Sequence, residues 1–244
     1  MRIQFRIVPL KFKFTISCLN VTMKPDLKKL DDLLSELGRY QAKLIAVSKT
    51  KPVETVQLVY DHGQRDFGEN YVQELIAKKE TLSAQINWHF IGHLQSNKVK
   101  LIAPFVHLIH GIDSVSLLKE VSRQAVKLNR EIPVLLQVHI ATEETKFGLS
   151  PDEVLHTARQ FFSQPMPGIT LNGLMGMASF TEDENLIRKE FKTLKKVFDT
   201  LSQETVLHQS FSTLSMGMSN DYKIALDEGS NMIRIGSAIF GSRN

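Results

Sequence analysis

One lysine in the sequence has the setting of a reactive amine. Lys49 follows four consecutive apolar residues, Leu44–Val47, which are typical of a strand buried on both faces, and Pro52 ends the pattern. A lysine at the carboxyl end of a buried strand is partly desolvated, so its pKa can fall until a neutral amine is available. A neutral amine condenses with an aldehyde to form a Schiff base. The alternative is that Lys49 and Lys51 merely end the strand and face water.

Two glycine-containing segments near the carboxyl terminus suit an anionic ligand. Residues 215–219 (SMGMS) end one predicted strand, and the serine at 219 opens a helix whose N–H groups favour negative charge. Residues 233–237 (IRIGS) end the next strand with Gly236 and Ser237. Each segment taken alone is also an ordinary turn or helix cap. Their occurrence on consecutive strands favours a phosphate site.

Arg234 lies inside the apolar run 232–235, where alternation turns its side chain towards the interior. A buried guanidinium is costly unless it is paired or hydrogen-bonded. The sequence leaves two partners open. One is a structural carboxylate, and the other is a ligand with an anionic group or a ring nitrogen.

These residues are spaced along a regular alternation of predicted strands and helices. An amphipathic helix from Pro25 to Gly38 comes first. Eight predicted strands follow, with helical patterns between them, and no linker or low-complexity segment interrupts them. The predicted strands cover residues 44–47, 65–69, 87–91, 106–112, 133–140, 170–178, 212–218 and 231–235.

Eight strand-then-helix units favour one fold. Strands that alternate with helices pair in parallel, and eight such units favour a single α/β domain, a (β/α)8 TIM barrel, over an open doubly wound sheet, which remains the alternative. The carboxyl ends of barrel strands share one face, so the residues there share a pocket. The predicted pocket segments are Lys49, residues 69–70, 89–93, Asp113, 141–148, 175–179, 215–219 and 234–237.

Composition argues against several classes of protein. A chain of 244 residues with 42% hydrophobic residues can bury one large core, and no run of about 18 apolar residues predicts a membrane span. The net charge of +4 comes from four basic residues within 1–22, because removing them from the 30 Lys and Arg leaves 26, the number of Asp and Glu. We therefore expect no nucleic-acid partner. We also expect no metal, because the histidines lack paired spacing on one helix.

The first 22 residues allow two interpretations. They are basic and free of acidic residues, as in an organelle-targeting segment, but they can also be an upstream extension before a start at Met23. We favour the extension and assign residues 23–244 to the barrel. The single cysteine, Cys18, excludes a disulfide within one chain and fits a reducing compartment such as the cytoplasm.

Six motifs together resemble the YggS/PROSC family of pyridoxal-phosphate-binding proteins, also called pyridoxal phosphate homeostasis proteins. The motifs, in chain order, are AVSKTKP, FGENYVQEL, WHFIGHLQSNK, NGLMGMA, LSMGMSNDY and IRIGSAIFG. The resemblance covers roughly residues 23–244. It implies a barrel like the amino-terminal domain of alanine racemase, of pyridoxal-phosphate fold type III and preceded by an N-terminal helix, without those enzymes' second β-domain.

By position, the resemblance also implies a binding site for pyridoxal 5'-phosphate (PLP). Lys49 would hold PLP as a Schiff base, and Arg234 would contact the pyridine nitrogen. Ser219, Gly236 and Ser237 would hold the phosphate. The full set of implied cofactor-binding residues is Lys49, Asn70, Met218, Ser219, Arg234, Gly236 and Ser237. The further pocket candidates are His89, Lys146 and Ser215, and none of these three has an assigned role.

The function that the resemblance implies is that of a PLP carrier in vitamin B6 homeostasis. An arginine at the pyridine nitrogen weakens PLP as an electron sink, and no length remains after the last strand for a second domain. We therefore expect a cytoplasmic monomer with no catalytic residue and with PLP-dependent acceptor enzymes as partners. The alternative is a PLP-dependent amino-acid racemase of low activity.

Overall fold

Eight parallel strands close into a barrel in the computed structural model, which describes residues 24–143, 146–204 and 210–241. The strands are β1 (Lys43–Val47), β2 (Asp66–Glu69), β3 (Asn87–Phe90), β4 (Leu108–Ile112), β5 (Ile132–Val138), β6 (Ile169–Gly176), β7 (Thr213–Ser215) and β8 (Met232–Ile235). They pair in chain order, and β8 pairs with β1 to close the sheet. The TIM-barrel prediction is confirmed, and the open sheet is wrong. The predicted extension 1–22 lies outside the described residues.

Helices surround the barrel. They are α1 (Leu27–Tyr40), α2 (Val53–Asp61), α3 (Val72–Thr81), α4 (Val99–Ile102), α5 (Val115–Lys127), α6 (Pro151–Ser163), α7 (Glu184–Glu204), α8 (Tyr222–Asp227) and α9 (Ser237–Phe240), with a 3₁₀ turn at Ser96–Lys98. Within the described ranges, none of these helices is both long and apolar enough to cross a bilayer.

The first helix runs two residues further than predicted. Asp26 caps its start by accepting a hydrogen bond from the backbone N–H of Lys29 at 2.8 Å. Gly38 does not end it, because Gln41 adopts the left-handed conformation (φ 53°) in its place, and its N–H reaches the carbonyl of Gly38. The helix buries its leucine stripe, Leu30, Leu33 and Leu37, against the barrel.

Apolar residues fill two separate layers. The larger lies between the strands and the surrounding helices, and the smaller fills the inside of the barrel. Strand β1 contributes to both, since Leu44 and Ala46 face the helices while Ile45 faces inwards. This explains why the strand that leads to Lys49 reads as one continuous apolar run.

A glycine allows strands β6 and β7 to approach each other. Gly173 has φ +151°, and a Cβ built on it would overlap the backbone carbonyl of Thr213, its partner across the sheet. Strand β7 is also shorter than predicted, because it ends at Ser215. Residues 216–219 are therefore free to form a loop at the carboxyl-terminal face.

Two glycine substitutions test this packing. We expect Gly173→Ala to destabilise the protein by about 1–3 kcal/mol, because the added methyl group would overlap the backbone of Thr213 and the positive φ is strained for alanine. Gly38→Ala is the matched control: it lies inside α1 with nothing within 4 Å of the added carbon, so a gain of about 0.5–1 kcal/mol is expected. The free energy of unfolding in urea measures both. Equal effects of the two variants would contradict the close β6–β7 contact.

Candidate functional site

One cavity at the carboxyl-terminal face of the barrel is lined by all seven residues implied for cofactor binding. They are Lys49 after β1, Asn70 after β2, Met218 and Ser219 after β7, Arg234 in β8, and Gly236 and Ser237 after β8. The cavity has a volume of about 520 Å³. This volume lies within the range of about 300–1,000 Å³ that is usual for small-molecule sites. The structure therefore brings the predicted residues together, while their individual roles stay predictions.

Lys49 is held in a tight turn. The N–H of Lys51 donates to the carbonyl of Ser48 at 3.1 Å across the turn, and Lys49 itself is half-buried. Thr50 has φ 65°, a conformation that is unfavourable for a β-branched residue. The carboxylate of Glu74 accepts a hydrogen bond from the N–H of Thr50 at 2.6 Å and so holds the turn in this conformation.

A buried lysine that we did not predict supports this turn from the side of helix α3. Nζ of Lys78 donates to the carbonyl of Ser48 at 2.6 Å and to the carboxylates of Glu69 and Glu74, each at 2.7 Å. The hydroxyl of Ser48 also donates to Glu69, at 2.6 Å. We call these four residues the Lys78 network. It fixes the residue that precedes Lys49.

Two of the three charges of the Lys78 network are nearly excluded from water. Lys78 is 3% exposed and Glu69 is fully buried. Burial raises the pKa of Glu69, although the ammonium of Lys78 and its hydrogen bond oppose the rise. The sequence indicates one of these ion pairs, through the four-residue spacing of Glu74 and Lys78 on one helix. The same spacing is common on exposed helix faces, so it does not indicate burial.

Arg234 points into the barrel, as alternation predicts. Its Nη1 donates to the carbonyl and the hydroxyl of Ser215 at 2.9 and 2.6 Å, and its Nη2 donates to the carbonyl of Gly176 at 3.0 Å. Among the described residues no carboxylate hydrogen-bonds to it, so the structural-carboxylate interpretation is not supported. Burial lowers the pKa of Arg234 to about 10, while the charge of Asp221 opposes this shift. The guanidinium therefore remains a charged donor at neutral pH.

A chain of hydrogen bonds continues from Arg234 through the inside of the barrel. The hydroxyl of Ser215 lies 3.2 Å from Nδ1 of His110, whose Nε2 lies 3.0 Å from Nδ1 of His89. Nε2 of His89 lies 3.0 Å from Oδ1 of Asp66, near the opposite end of the barrel. We call these five residues the polar column.

The carboxylate of Asp66 sets the direction of the hydrogen bonds in the polar column, because an ionised carboxylate can only accept. With both histidines neutral and one N–H on each ring, His89 donates to Asp66, His110 donates to His89, and Ser215 donates to His110.

The electrostatic environment agrees with this assignment. Burial lowers the pKa of His89, against the opposing effect of Asp66, and burial lowers the pKa of His110 well below its usual value. Burial alone would raise the pKa of Asp66, but the hydrogen bond from His89, the ammonium of Lys43 and the hydrogen bond from Asn87 act against burial, and the pKa is lowered.

The three further pocket candidates do not lie in the cavity wall. His89 and Ser215 belong to the polar column below the cavity. Nζ of Lys146 donates to the carbonyl of Ala178 at 2.6 Å and lies 3.1 Å from the carboxylate of Glu143. Lys146 therefore braces the loop at 141–148, of which residues 144 and 145 lie outside the described ranges.

An aromatic wall on one side of the cavity was not predicted. The imidazole of His93 stacks on the ring of Phe147, with centroids 4.0 Å apart and planes at 14°, and its Nδ1 lies 2.8 Å from the carboxylate of Asp113. His93, Phe147 and Tyr71 all line the cavity. The stack joins two loops that are far apart in the sequence, so no local pattern could indicate it.

The loops after β7 and β8 form the remaining wall. A Cβ on Gly236 would lie 2.9 Å from the carbonyl oxygen of Val47, so only glycine lets the end of β8 approach β1 here. Asp221 accepts a hydrogen bond from the N–H of Met218 and so fixes the loop that carries Ser219. Burial raises the pKa of Asp221, and the bond from Met218 opposes the rise. The wall presents two hydroxyls, at Ser219 and Ser237, beside a guanidinium.

Comparison with known proteins agrees with this arrangement. A family model described as "Alanine racemase, N-terminal domain" matches residues 26–244. The "Pyridoxal phosphate homeostasis protein" of Pasteurella multocida is 40% identical over 205 residues, which are 83% of this chain and 87% of that protein.

Solved structures show the same barrel. PipY of Synechococcus elongatus, in a structure with PLP bound, superimposes on this chain with a TM-score of 0.79 at 33% identity. The match covers 88% of this chain and 99% of PipY. An alanine racemase of Clostridium difficile gives a TM-score of 0.69 at 16% identity, over 87% of this chain and 55% of the racemase. The second similarity shows the fold alone.

The Lys78 network yields a stability prediction. Lys78→Met keeps most of the side-chain volume but leaves the buried carboxylate of Glu69 without its cation, so we expect a loss of about 3–5 kcal/mol in the free energy of unfolding. Urea unfolding measures this loss. The control is Lys79→Met on the same helix, where the lysine is exposed and a change of no more than about 1 kcal/mol is expected. Similar losses in the two variants would show that the network contributes little.

Proposed function

Because this chain belongs to the family of pyridoxal phosphate homeostasis proteins, we propose that it binds PLP at Lys49 and acts as an intracellular PLP carrier. The observation that carries the proposal is that a lysine, a buried arginine and two serine hydroxyls all line one cavity. The resemblance indicated by the six sequence motifs is confirmed at the level of the family.

The donors in the cavity fit the chemical groups of PLP. The aldehyde of PLP condenses with an amine and loses water, and Lys49 is the lysine that the turn after β1 holds at the cavity. In this proposal the hydroxyls of Ser219 and Ser237, which both line the cavity, donate to the phosphate. They belong to the segments after β7 and β8, which hold phosphate in many barrels of this kind. The close approach at Gly236 leaves this corner of the cavity without a side chain.

Arg234 supports binding more than catalysis. It is held by uncharged acceptors, stays protonated at neutral pH, and can only donate towards a ring nitrogen. Such a partner leaves the ring nitrogen without a proton, which weakens the electron withdrawal that carbanion chemistry needs. In this proposal the chain binds, orients and shields the cofactor and has no turnover of its own.

The racemase alternative has one observation in its favour. Tyr71 and His93 line the same cavity as Lys49, and both side chains can transfer protons. His93, however, is stacked on Phe147 and hydrogen-bonded to Asp113, which holds its ring in place. This arrangement favours a wall of the cavity over an acid or base that must reach a substrate.

We also propose the cytoplasm as the site of action and a monomer as the working form. A single cysteine suits a reducing compartment. All seven residues implied for cofactor binding come from one chain, so the cavity does not require a partner subunit.

Transfer of PLP to acceptor enzymes is supported by the cavity mouth, where Tyr71 and Phe147 are 58% and 53% exposed and form an apolar rim.

A pair of lysine variants tests the covalent assignment. In Lys49→Ala we expect complete loss of the PLP adduct, because no amine remains at that point of the cavity. Lys51→Ala, which changes the neighbouring lysine of the same cavity, should keep it. Absorbance of the protein-bound cofactor and mass spectrometry after borohydride reduction measure the adduct. An adduct of unchanged amount in Lys49→Ala would refute the assignment.

The absence of turnover needs its own measurement. The PLP-loaded protein is incubated with single L-amino acids, and chiral chromatography follows the appearance of the D-enantiomer. We expect none above the level of the Lys49→Ala variant. Sustained formation of D-amino acid by the wild-type protein alone would establish the racemase instead.

A further inference from the structure

A second cluster of potential ligands lies at the amino-terminal face of the barrel, opposite the cavity. Asp66 begins β2, His89 lies within β3, and His107 directly precedes β4. One ligand atom from each of the three lies within 4.8 Å of the other two. The residues come from three neighbouring strands, so their proximity depends on the register of the sheet and not on local spacing.

The geometry suits a metal ion. Oδ1 of Asp66 and Nε2 of His89 are 3.0 Å apart, and the rings of His89 and His107 have centroids 5.2 Å apart. Bonds of about 2.0–2.1 Å from a tetrahedral ion place neighbouring ligand atoms about 3.3 Å apart. We propose that Asp66, His89 and His107 form a binding site for Zn²⁺ or a chemically similar first-row divalent ion.

The ligand types select this class of ion. Two imidazoles and one carboxylate are ligands that zinc accepts, whereas magnesium and calcium prefer oxygen alone. A metal binds an imidazole in its neutral form. His107 is exposed, which leaves the fourth position of the ion open to water.

The polar column supplies the outer shell that such a site needs. A metal on Nε2 of His89 places the ring proton on Nδ1, which lies 3.0 Å from Nε2 of His110. His110 then donates from Nδ1 to the hydroxyl of Ser215, 3.2 Å away. A ligating histidine usually donates its other N–H in this way, which fixes its orientation. The ion thus takes the place of the proton between His89 and Asp66 and reverses the column without changing its number of protons.

Lys43 competes with the ion. Its Nζ lies 3.7 Å from Oδ1 of Asp66, and its side chain is 49% exposed. The ammonium occupies the neighbourhood of the carboxylate when no ion is bound, and it can swing into water when an ion enters. Removal of this charge should therefore strengthen metal binding, an effect that a purely structural role of the cluster does not produce.

Co²⁺ and Zn²⁺ titrations of the untagged full-length chain test the site. Co²⁺ is followed by its visible absorption and Zn²⁺ by calorimetry and by displacement of Co²⁺. We expect one ion per chain, at least about tenfold weaker binding in His107→Ala, and tighter binding in Lys43→Ala. His62→Ala is the matched control and should bind like the wild type, since His62 is not one of the clustered ligands and forms an exposed pair with Asp31, 2.8 Å apart.

The variants separate loss of the site from loss of the fold. His107 is exposed, so its substitution leaves the core intact, and thermal unfolding of the metal-free proteins verifies this. Failure of the wild type to bind either ion at one per chain would overturn the proposal. Wild-type affinity in both His107→Ala and Asp66→Asn would overturn it as well. The result does not depend on PLP, which is left out of these titrations.

Discussion

The buried guanidinium of Arg234 is the constraint that organises the inside of the barrel. A charge that is 4% exposed must be surrounded by polar groups, and Ser215 and Gly176 supply the first of them. The hydroxyl of Ser215 also lies within hydrogen-bonding distance of His110, and His110 and His89 continue the chain to Asp66. The interior is therefore divided between a polar column and the apolar cluster of Ile45, Leu108, Leu135, Met175 and Met232. The apolar cluster excludes water, which strengthens each hydrogen bond of the column.

A second polar arrangement holds Lys49 from the other side of strand β1. The Lys78 network lies between the sheet and helix α3, whereas the polar column lies within the barrel. The first fixes the backbone beside Lys49, and the second fixes the guanidinium across the cavity from it. A lysine whose neighbours are locked by buried hydrogen bonds needs little further ordering, and such preorganisation favours tight binding wherever a ligand is held.

Much of the fold and the outline of the cavity could be predicted from the sequence. The alternation of strand and helix patterns along the chain predicts parallel strands. The carboxyl ends of parallel strands share a face, so Lys49 and Arg234 were expected to line the same cavity. The Lys78 network could not be predicted in this way, because the burial of a helical lysine depends on which face of α3 packs against the sheet. The polar column depends on register, which places His89 beside Gly68 and Leu108. Register is a property of the closed sheet, and the periodicity of single strands does not contain it.

The polar column also connects the two faces of the barrel without any moving part. Its hydrogen bonds have a direction, and that direction is set by the group that binds Nε2 of His89. A cation that took the lone pair of Nε2 of His89 would turn every donor between Asp66 and Ser215 the other way. Ser215 would then accept from both His110 and Arg234, so Arg234 would keep its position while the hydroxyl beneath it changed from donor to acceptor towards His110. An ion bound at the amino-terminal face would thus change the hydrogen bonding at the floor of the cavity by moving protons alone, with the strands held in place by the closed sheet.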